Sequence, residues 1–358
     1  MSSIDLKATQ SPHILVLGMG GTIAGLAGEP DSKPLQYQSG QVGVERLLKQ
    51  VQAAVPGELK LVSVQLANAD SRNLSELLLT QLGNAVMAAL DNVAVQGIVI
   101  THGTDTIEET GIFLQATCGK AAETLGKRVV LTGAMLPSNA PGADGPNNLL
   151  GAIRWASTPL ENCPGGIYGV FAGKVCMAKD LAKRHSTALN APLMDSPASP
   201  IGLINPSWLF GVKAVEAAWG EDLPIPQEGE WPWVDILTSH AGARAETITH
   251  YLGTKVDGLV LAGSGMGGFH DAWKAPLEDA MSRGIALVRT SRTGAGLVLA
   301  DIPEKDQFGC MASGSLSAPR ARIALQLALN AAKQANLVGK PLTWQDFFAR
   351  IADLPEIR

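Results

Sequence analysis

The sequence predicts an α/β protein of two domains, the first larger than the second. Three observations predict it. The chain of 358 residues exceeds the length of one average domain. Short apolar runs alternate along it with longer amphipathic stretches, as strands and helices do in α/β folds. The alternation breaks once, between 190 and 233, where Pro192, Pro197, Pro200, Pro206, Pro224, Pro226 and Pro232 fall. We therefore expect an N-terminal α/β catalytic domain over 1–205, a linker over 206–233 and a C-terminal α/β domain over 234–358.

In the first domain, strands are predicted at 13–17, 60–66, 96–101, 128–132 and 167–172. Their runs (HILVL, KLVSVQL, QGIVIT, RVVLT) are rich in Val, Ile and Leu on both faces, as in a parallel sheet covered by helices. Helical periodicity lies between them, near 43–54, 75–90, 107–117 and 147–157. In the second domain, strands are predicted at 234–238, 258–262 and 286–290, with helices near 244–252, 271–283 and 319–335.

Composition narrows the class. Hydrophobic residues make up 46% and charged residues 17%, enough to build a sizeable core. The net charge of −5, without a long Lys/Arg run, gives no nucleic-acid surface. The four cysteines form no Cys-x-x-Cys pair and no zinc spacing and read as reduced, mostly buried thiols; no metal and no cofactor are expected. The segment MSSIDLKATQSPH lacks the apolar centre of a signal peptide, and no apolar run reaches the ~18 residues of a membrane span. A cytoplasmic protein with no membrane partner is expected.

Ligands of open α/β sheets bind beyond the carboxyl ends of the strands, so the strand exits are where chemistry belongs. The first exit is Gly18-Met19-Gly20-Gly21-Thr22-Ile23-Ala24-Gly25. It fails the dinucleotide fingerprint, because Ile23 stands where G-x-G-x-x-G needs glycine. Its hydroxyl is the useful feature: Thr22 can act as a covalent nucleophile if a neighbour takes its proton. Tyr37, in a polar stretch that reads as a mobile loop, is such a neighbour by chemical type. The second exit carries Asp70, Ser71, Arg72, Asn73 and Ser75. Asn73 or Ser75 could cap the following helix, while Ser71 and nearby N–H groups could hold a carboxylate.

The third exit, Thr101-His102-Gly103-Thr104-Asp105-Thr106-Ile107-Glu108-Glu109-Thr110, is the most informative. Asp105-x-x-Glu108 and Thr106-x-x-Glu109 both fit a capping box. Capping explains some of these polar residues but not the whole run: Thr104 can attack or relay, and Asp105 can pair with an ammonium. A lone histidine at a strand end, such as His102, is more often structural than catalytic.

GMGGTIAG (18–25) and THGTDTIEET (101–110) resemble the two signature segments of the bacterial-type L-asparaginase/glutaminase family. VGVERLL (42–48), GAMLPSNAPGADGPNNLLGAI (133–153) and SGSLSAPRARIALQLAL (313–329) extend the resemblance over nearly the whole chain. It implies an asparaginase-like fold with a large N-terminal and a small C-terminal domain, and hydrolysis of the L-asparagine side-chain amide, or alternatively also of L-glutamine. It further implies Thr22 as nucleophile, Tyr37 as its loop partner, and Thr104 paired with Lys183. Ser71 and Arg72 match residues that bind the substrate α-carboxylate, and Asp105 the residue that grips its amino group. Lys174 and Lys179 lie close to Lys183 in sequence. The resemblance also implies a homotetramer built as a dimer of close dimers.

This chain departs from the pattern at Met19, usually Thr, at Arg72, often Gln, and at Gly268, where some members carry an Asn given to a neighbouring subunit. Asp301 and Glu304 are candidates for a cross-subunit acid. Two alternatives stand beside the acyl-enzyme reading with Thr22 attacking. Thr104 could attack first, or the protein could be a non-catalytic amino-acid binder.

Overall fold

The computed structural model describes residues 11–28, 37–158, 164–189, 201–204, 209–210, 220–300, 309–339, 342–352 and 354. Contacts divide the chain into two compact units, Met1–Asp222 and Leu223–Arg358.

The first unit is built on an eight-stranded sheet. Its strands are β1 (His13–Gly20), β4 (Leu61–Ala69), β5 (Val95–Thr101), β6 (Arg128–Thr132), β7 (Gly166–Phe171), β8 (Lys174–Met177), β9 (Gly202–Ile204) and β10 (Leu209–Phe210), in the order β10-β9-β8-β7-β6-β5-β1-β4. A separate two-stranded ribbon pairs β2 (Leu26–Ala27) with β3 (Tyr37–Gln38). From β4 to β7 the pairing is parallel, as the apolar runs predict. Beyond β7 it is antiparallel, so the sheet is mixed. Strands of two to four residues carry too few side chains for a periodic signal, and β8 to β10 had none in the sequence.

The helices are α1 (Val44–Val51), α2 (Glu76–Asp91), α3 (Ile107–Thr124) and α4 (Gly145–Ser157). Successive strand residues point to opposite faces. Ile14, Val16, Val99 and Val130 pack with Leu47 and Leu48 of α1 and Leu149, Ile153 and Trp155 of α4. The alternate residues Leu15, Leu17, Ile98, Ile100, Val129 and Leu131 are equally buried, on the face of the sheet opposite α1 and α4. Both faces are therefore dry, which is why these strands read as continuous apolar runs.

The second unit has four parallel strands in sequential order, β11 (Val234–Thr238), β12 (Gly258–Gly263), β13 (Ala286–Ser291) and β14 (Met311–Ala312). Its helices are α5 (Glu246–Leu252), α6 (Lys274–Ser282), α7 (Ala318–Leu337) and α8 (Trp344–Ile351). Ile248 of α5 and Leu277 and Ala280 of α6 pack with Leu237, Leu259, Leu261 and Leu287 of the sheet. Helix α8 opens with a full capping box between Thr343 and Asp346.

Candidate active site

Parallel pairing brings the carboxyl ends of β4, β1, β5 and β6 to one edge of the first sheet, in that order. The ends of β1, β4 and β5 run into the three polar loops singled out in the sequence. Their contact is closest between the first and third. A Cβ built on Gly21 would lie 2.3 Å from both N and Cα of Gly103, and Gly21 itself has φ +81°. Only glycine allows that approach with that backbone. Gly21 and Gly103 stand directly before Thr22 and Thr104, so their contact brings together the two loops that carry these threonines. On the far side, the Gly21 N–H donates to Ala69 O at 2.9 Å, and a Cβ on Gly103 would lie 2.5 Å from Ser71 Oγ. Three strand exits thus converge on one spot.

The hydroxyls there are buried: Thr22 is 7% exposed, Ser71 5% and Thr104 3%. Thr22 Oγ1 and the Tyr37 hydroxyl are 2.6 Å apart, in hydrogen-bond contact; Tyr37 stands on β3, which pairs with β2 just after the turn that Thr22 opens. Residues 29–36, between those two strands, lie outside the described residues. Lys183 Nζ donates to Thr104 Oγ1 at 3.1 Å and to Asp105 Oδ1 at 2.5 Å, the latter an ion pair. The Lys183 side chain is 21% exposed and that of Asp105 52%. Thr22, Tyr37, Ser71, Thr104, Asp105 and Lys183 therefore share one neighbourhood. Arg72 is placed differently: its side chain is 73% exposed and paired with Asp70 at 3.1 Å, so its head lies in solvent.

Local structure explains the polar residues that remain. Asp70 accepts the Arg72 N–H at the start of a 3-10 turn, and Ser75 accepts the Leu78 N–H at the start of α2. The cap at α2 is Ser75. At α3 the expected capping box does not form. The N-cap Thr106 has no side-chain cap bond; its hydroxyl instead donates to Ser71 O at 2.9 Å. A helix-capping pattern has been used to tie the second exit to the third.

His102 is structural. It is 1% exposed; its Nδ1 lies 2.7 Å from Gly103 O and its Nε2 3.0 Å from Thr110 Oγ1. Burial pulls the imidazole below its ordinary basicity, partly offset by the bond to Gly103 O. Met135, which no sequence signal marked, sits 3.7 Å from Thr104 through its sulfur. A methionine after a strand reads as core filling, so only the fold exposes this contact.

In the second unit, Ser264 and Gly268 close a tight bridge, each donating its N–H to the other's carbonyl. Asp301 and Glu304 lie outside the described residues. Among the described residues no cluster of three or more His, Cys, Asp or Glu gathers as a metal site would. None of the described helices is long and apolar enough to cross a membrane.

Paired hydroxyls with proton-bearing neighbours at the carboxyl edge of a parallel sheet are the equipment of a hydrolase. Comparison with known proteins gives the class as an amidohydrolase enzyme. The chain belongs to the asparaginase family: the model described as Asparaginase, N-terminal matches residues 13–209, and that of the Glutaminase/Asparaginase C-terminal domain matches 233–339. It is 33% identical over 324 residues to L-asparaginase 2 of Bacillus subtilis, covering 89% of this chain and 82% of that one. It is 31% identical over 339 residues to a probable periplasmic L-asparaginase of Haemophilus influenzae, covering 93% of each. Among solved structures it resembles a probable cytoplasmic L-asparaginase from Campylobacter jejuni, with a TM-score of 0.81 and 29% identity, covering 95% of this chain and 100% of that one. These likenesses agree with the two-domain α/β fold expected from the sequence.

Proposed function

We propose that the protein is an L-asparaginase in which Thr22 attacks the side-chain amide carbonyl of L-asparagine. The observation that carries the reading is the contact between the two loops that carry Thr22 and Thr104, both threonines being buried and hydrogen-bonded, one to a phenol and the other to an amine. An amide is a poor electrophile, so hydrolysis needs a nucleophile, a proton path and donors for the developing oxyanion. Thr22 supplies the first and Tyr37, at 2.6 Å, begins the second. Ammonia leaves, and water activated beside Thr104 and Lys183 releases aspartate from the threonine ester. Asp105, half-exposed beside Lys183, receives the substrate α-ammonium in this reading. In this reading Ser71, against Gly103, receives its α-carboxylate through hydroxyl and backbone; Arg72 has its head in solvent and its N–H held by Asp70, so it takes no direct part.

The names of the relatives and of the structural neighbour support asparagine as substrate and, for the neighbour, a cytoplasmic location. The family resemblance supports a homotetramer, a dimer of close dimers, which sedimentation would report as four times the chain mass.

Ammonia release from asparagine and from glutamine tests the reading. Thr22→Ala and Thr104→Val proteins should keep their fold and lose activity on asparagine, and quenched wild-type reactions should carry an ester on Thr22. A Thr22→Ala enzyme at near-wild-type rate removes Thr22 as nucleophile. An ester trapped reproducibly on Thr104 reverses the two roles.

A further inference from the structure

The segment 133–153 carries part of the family resemblance, yet nothing in the chemistry above uses it. Its first residues follow β6, beside the third strand exit: the His102 N–H donates to Thr132 O at 2.8 Å. From there the chain reaches Met135, whose sulfur lies 3.7 Å from Thr104 Oγ1, within range of a hydrogen bond to sulfur.

We propose that Met135 is a positioning residue for Thr104, its sulfur accepting a hydrogen bond from the Thr104 hydroxyl. The proposal rests on the reading in which Thr104 takes part in the hydrolysis. Lys183 is ion-paired to Asp105 at 2.5 Å, and an ammonium has donors only. Its bond to Thr104 at 3.1 Å therefore falls on a lone pair of Oγ1, and the hydroxyl's own proton must point elsewhere. Thr104 is 3% exposed, so bulk water is a poor alternative acceptor. The Met135 sulfur is the acceptor the fold supplies. With the proton turned to sulfur and one lone pair on Lys183, the second lone pair of Oγ1 has a fixed direction. A thioether is a weak acceptor, so it sets the resting direction of the O–H, whose proton stays on Oγ1, and lets the hydroxyl turn away readily when the reaction needs it.

The rest of the segment holds Met135 in place. The Asp144 carboxylate accepts the Met135 N–H at 2.9 and 3.1 Å and the Leu136 N–H at 3.0 Å. Asn148, 4% exposed, donates to Asp144 Oδ2 at 3.2 Å and to Gly133 O at 3.0 Å, and accepts the Ala172 N–H at 2.9 Å. Asp144 and Asn148, at the start of α4, thus fix the backbone on both sides of Met135.

Two substitutions separate positioning from packing. Met135→Leu conserves volume and deletes the acceptor. Met135→Gln keeps an unbranched chain and ends in an acceptor oxygen, and Met135 is partly exposed, so a polar end is tolerated. We expect Met135→Leu to lower kcat for asparagine about 3–10-fold, the worth of one modest hydrogen bond, with KM within about twofold. Met135→Gln should retain more kcat than Met135→Leu. If Met135 only fills space, the order reverses, because leucine packs better than glutamine. Wild-type kcat in Met135→Leu, or any ranking of glutamine below leucine, overturns the proposal. Thr104→Val measured alongside distinguishes the two failures. If Thr104→Val keeps its rate, the role of Thr104 itself is wrong. If it is inactive while Met135→Leu is unchanged, only the positioning by Met135 is wrong.

Discussion

Replacing Gly21 with alanine should push apart the two loops on which the site depends. The new Cβ would stand 2.3 Å from Gly103 N and Cα and 2.8 Å from His102 C, all backbone atoms that cannot swing aside. Ordinary carbon contacts begin near 3.5 Å, so the loops must separate by roughly 1.2 Å. Misplacing reacting groups by about 1 Å costs on the order of 10²-fold in rate. We therefore expect kcat/KM for asparagine to fall about 10²-fold, or about 2.7 kcal/mol in barrier. Alanine at φ +81°, ψ −172°, a region essentially reserved for glycine, adds strain of roughly 1–3 kcal/mol that should show in thermal unfolding. Gly242→Ala is the control: it has φ +74° but nothing within 4 Å of its Cβ, and it lies in the second unit. It should share the loss of stability and keep full kcat. Gly103→Ala, whose Cβ meets Ser71 Oγ at 2.5 Å and Cβ at 2.7 Å without positive φ, should fall between them. A folded Gly21→Ala enzyme within twofold of wild type would show that the chemistry does not need these loops in contact.

Two further outcomes follow from burial. His102 has its basicity lowered in the folded protein, so below the ordinary imidazole value of 6.5 the unfolded chain binds a proton that the folded chain resists. Stability is then greatest above that pH and falls as pH drops through it, by up to about 1.4 kcal/mol per pH unit for this group. Urea midpoints between pH 7.5 and 5 should fall less steeply for His102→Gln than for wild type; equal slopes would contradict the assignment. Burial also pushes the Cys118 thiol up to about 12 and raises that of Cys176 further. Neither should react with iodoacetamide at pH 8 until the protein is unfolded, as peptide mass spectrometry would report; labelling of native Cys118 would show that its pocket opens.

Much of the fold was legible because its central strands are dry on both faces and therefore apolar at every position. Where that condition lapses, so does the signal. Strands β8, β9 and β10 have four, three and two residues, and two of them fall where prolines suggest a connection. Helix α3 extends to Thr124, past the stretch that periodicity marks, because CGKAAET mixes small and polar residues whose burial is decided by neighbours. At α3 a capping motif was present in the sequence and idle in the structure, since Thr106 spends its hydroxyl on another loop. Likewise, three nearby lysines share one chemistry, and it is the path of the chain after β8 that brings Lys183 to a threonine 79 residues away.

The site itself was legible as a set of loops but not as an arrangement, and strand order is the reason. Thr22 leaves β1, Ser71 follows β4 and Thr104 follows β5. In the sheet, β1 lies between β4 and β5, with Gly18 in register with Thr101 on one side and Gln65 on the other. The loop carrying Thr22 thus has both other loops as immediate neighbours. Had the strands been laid down in sequence order, β4 would stand between β1 and β5. At about 4.8 Å per strand, the loops of Thr22 and Thr104 would then start roughly 10 Å apart. Two hydroxyls at that distance could not both reach one amide, and Gly21 and Gly103 would have no contact to require their lack of a side chain. The two glycines are therefore the trace that strand order leaves in the sequence: each stands directly before its threonine because that is where the neighbouring backbones touch.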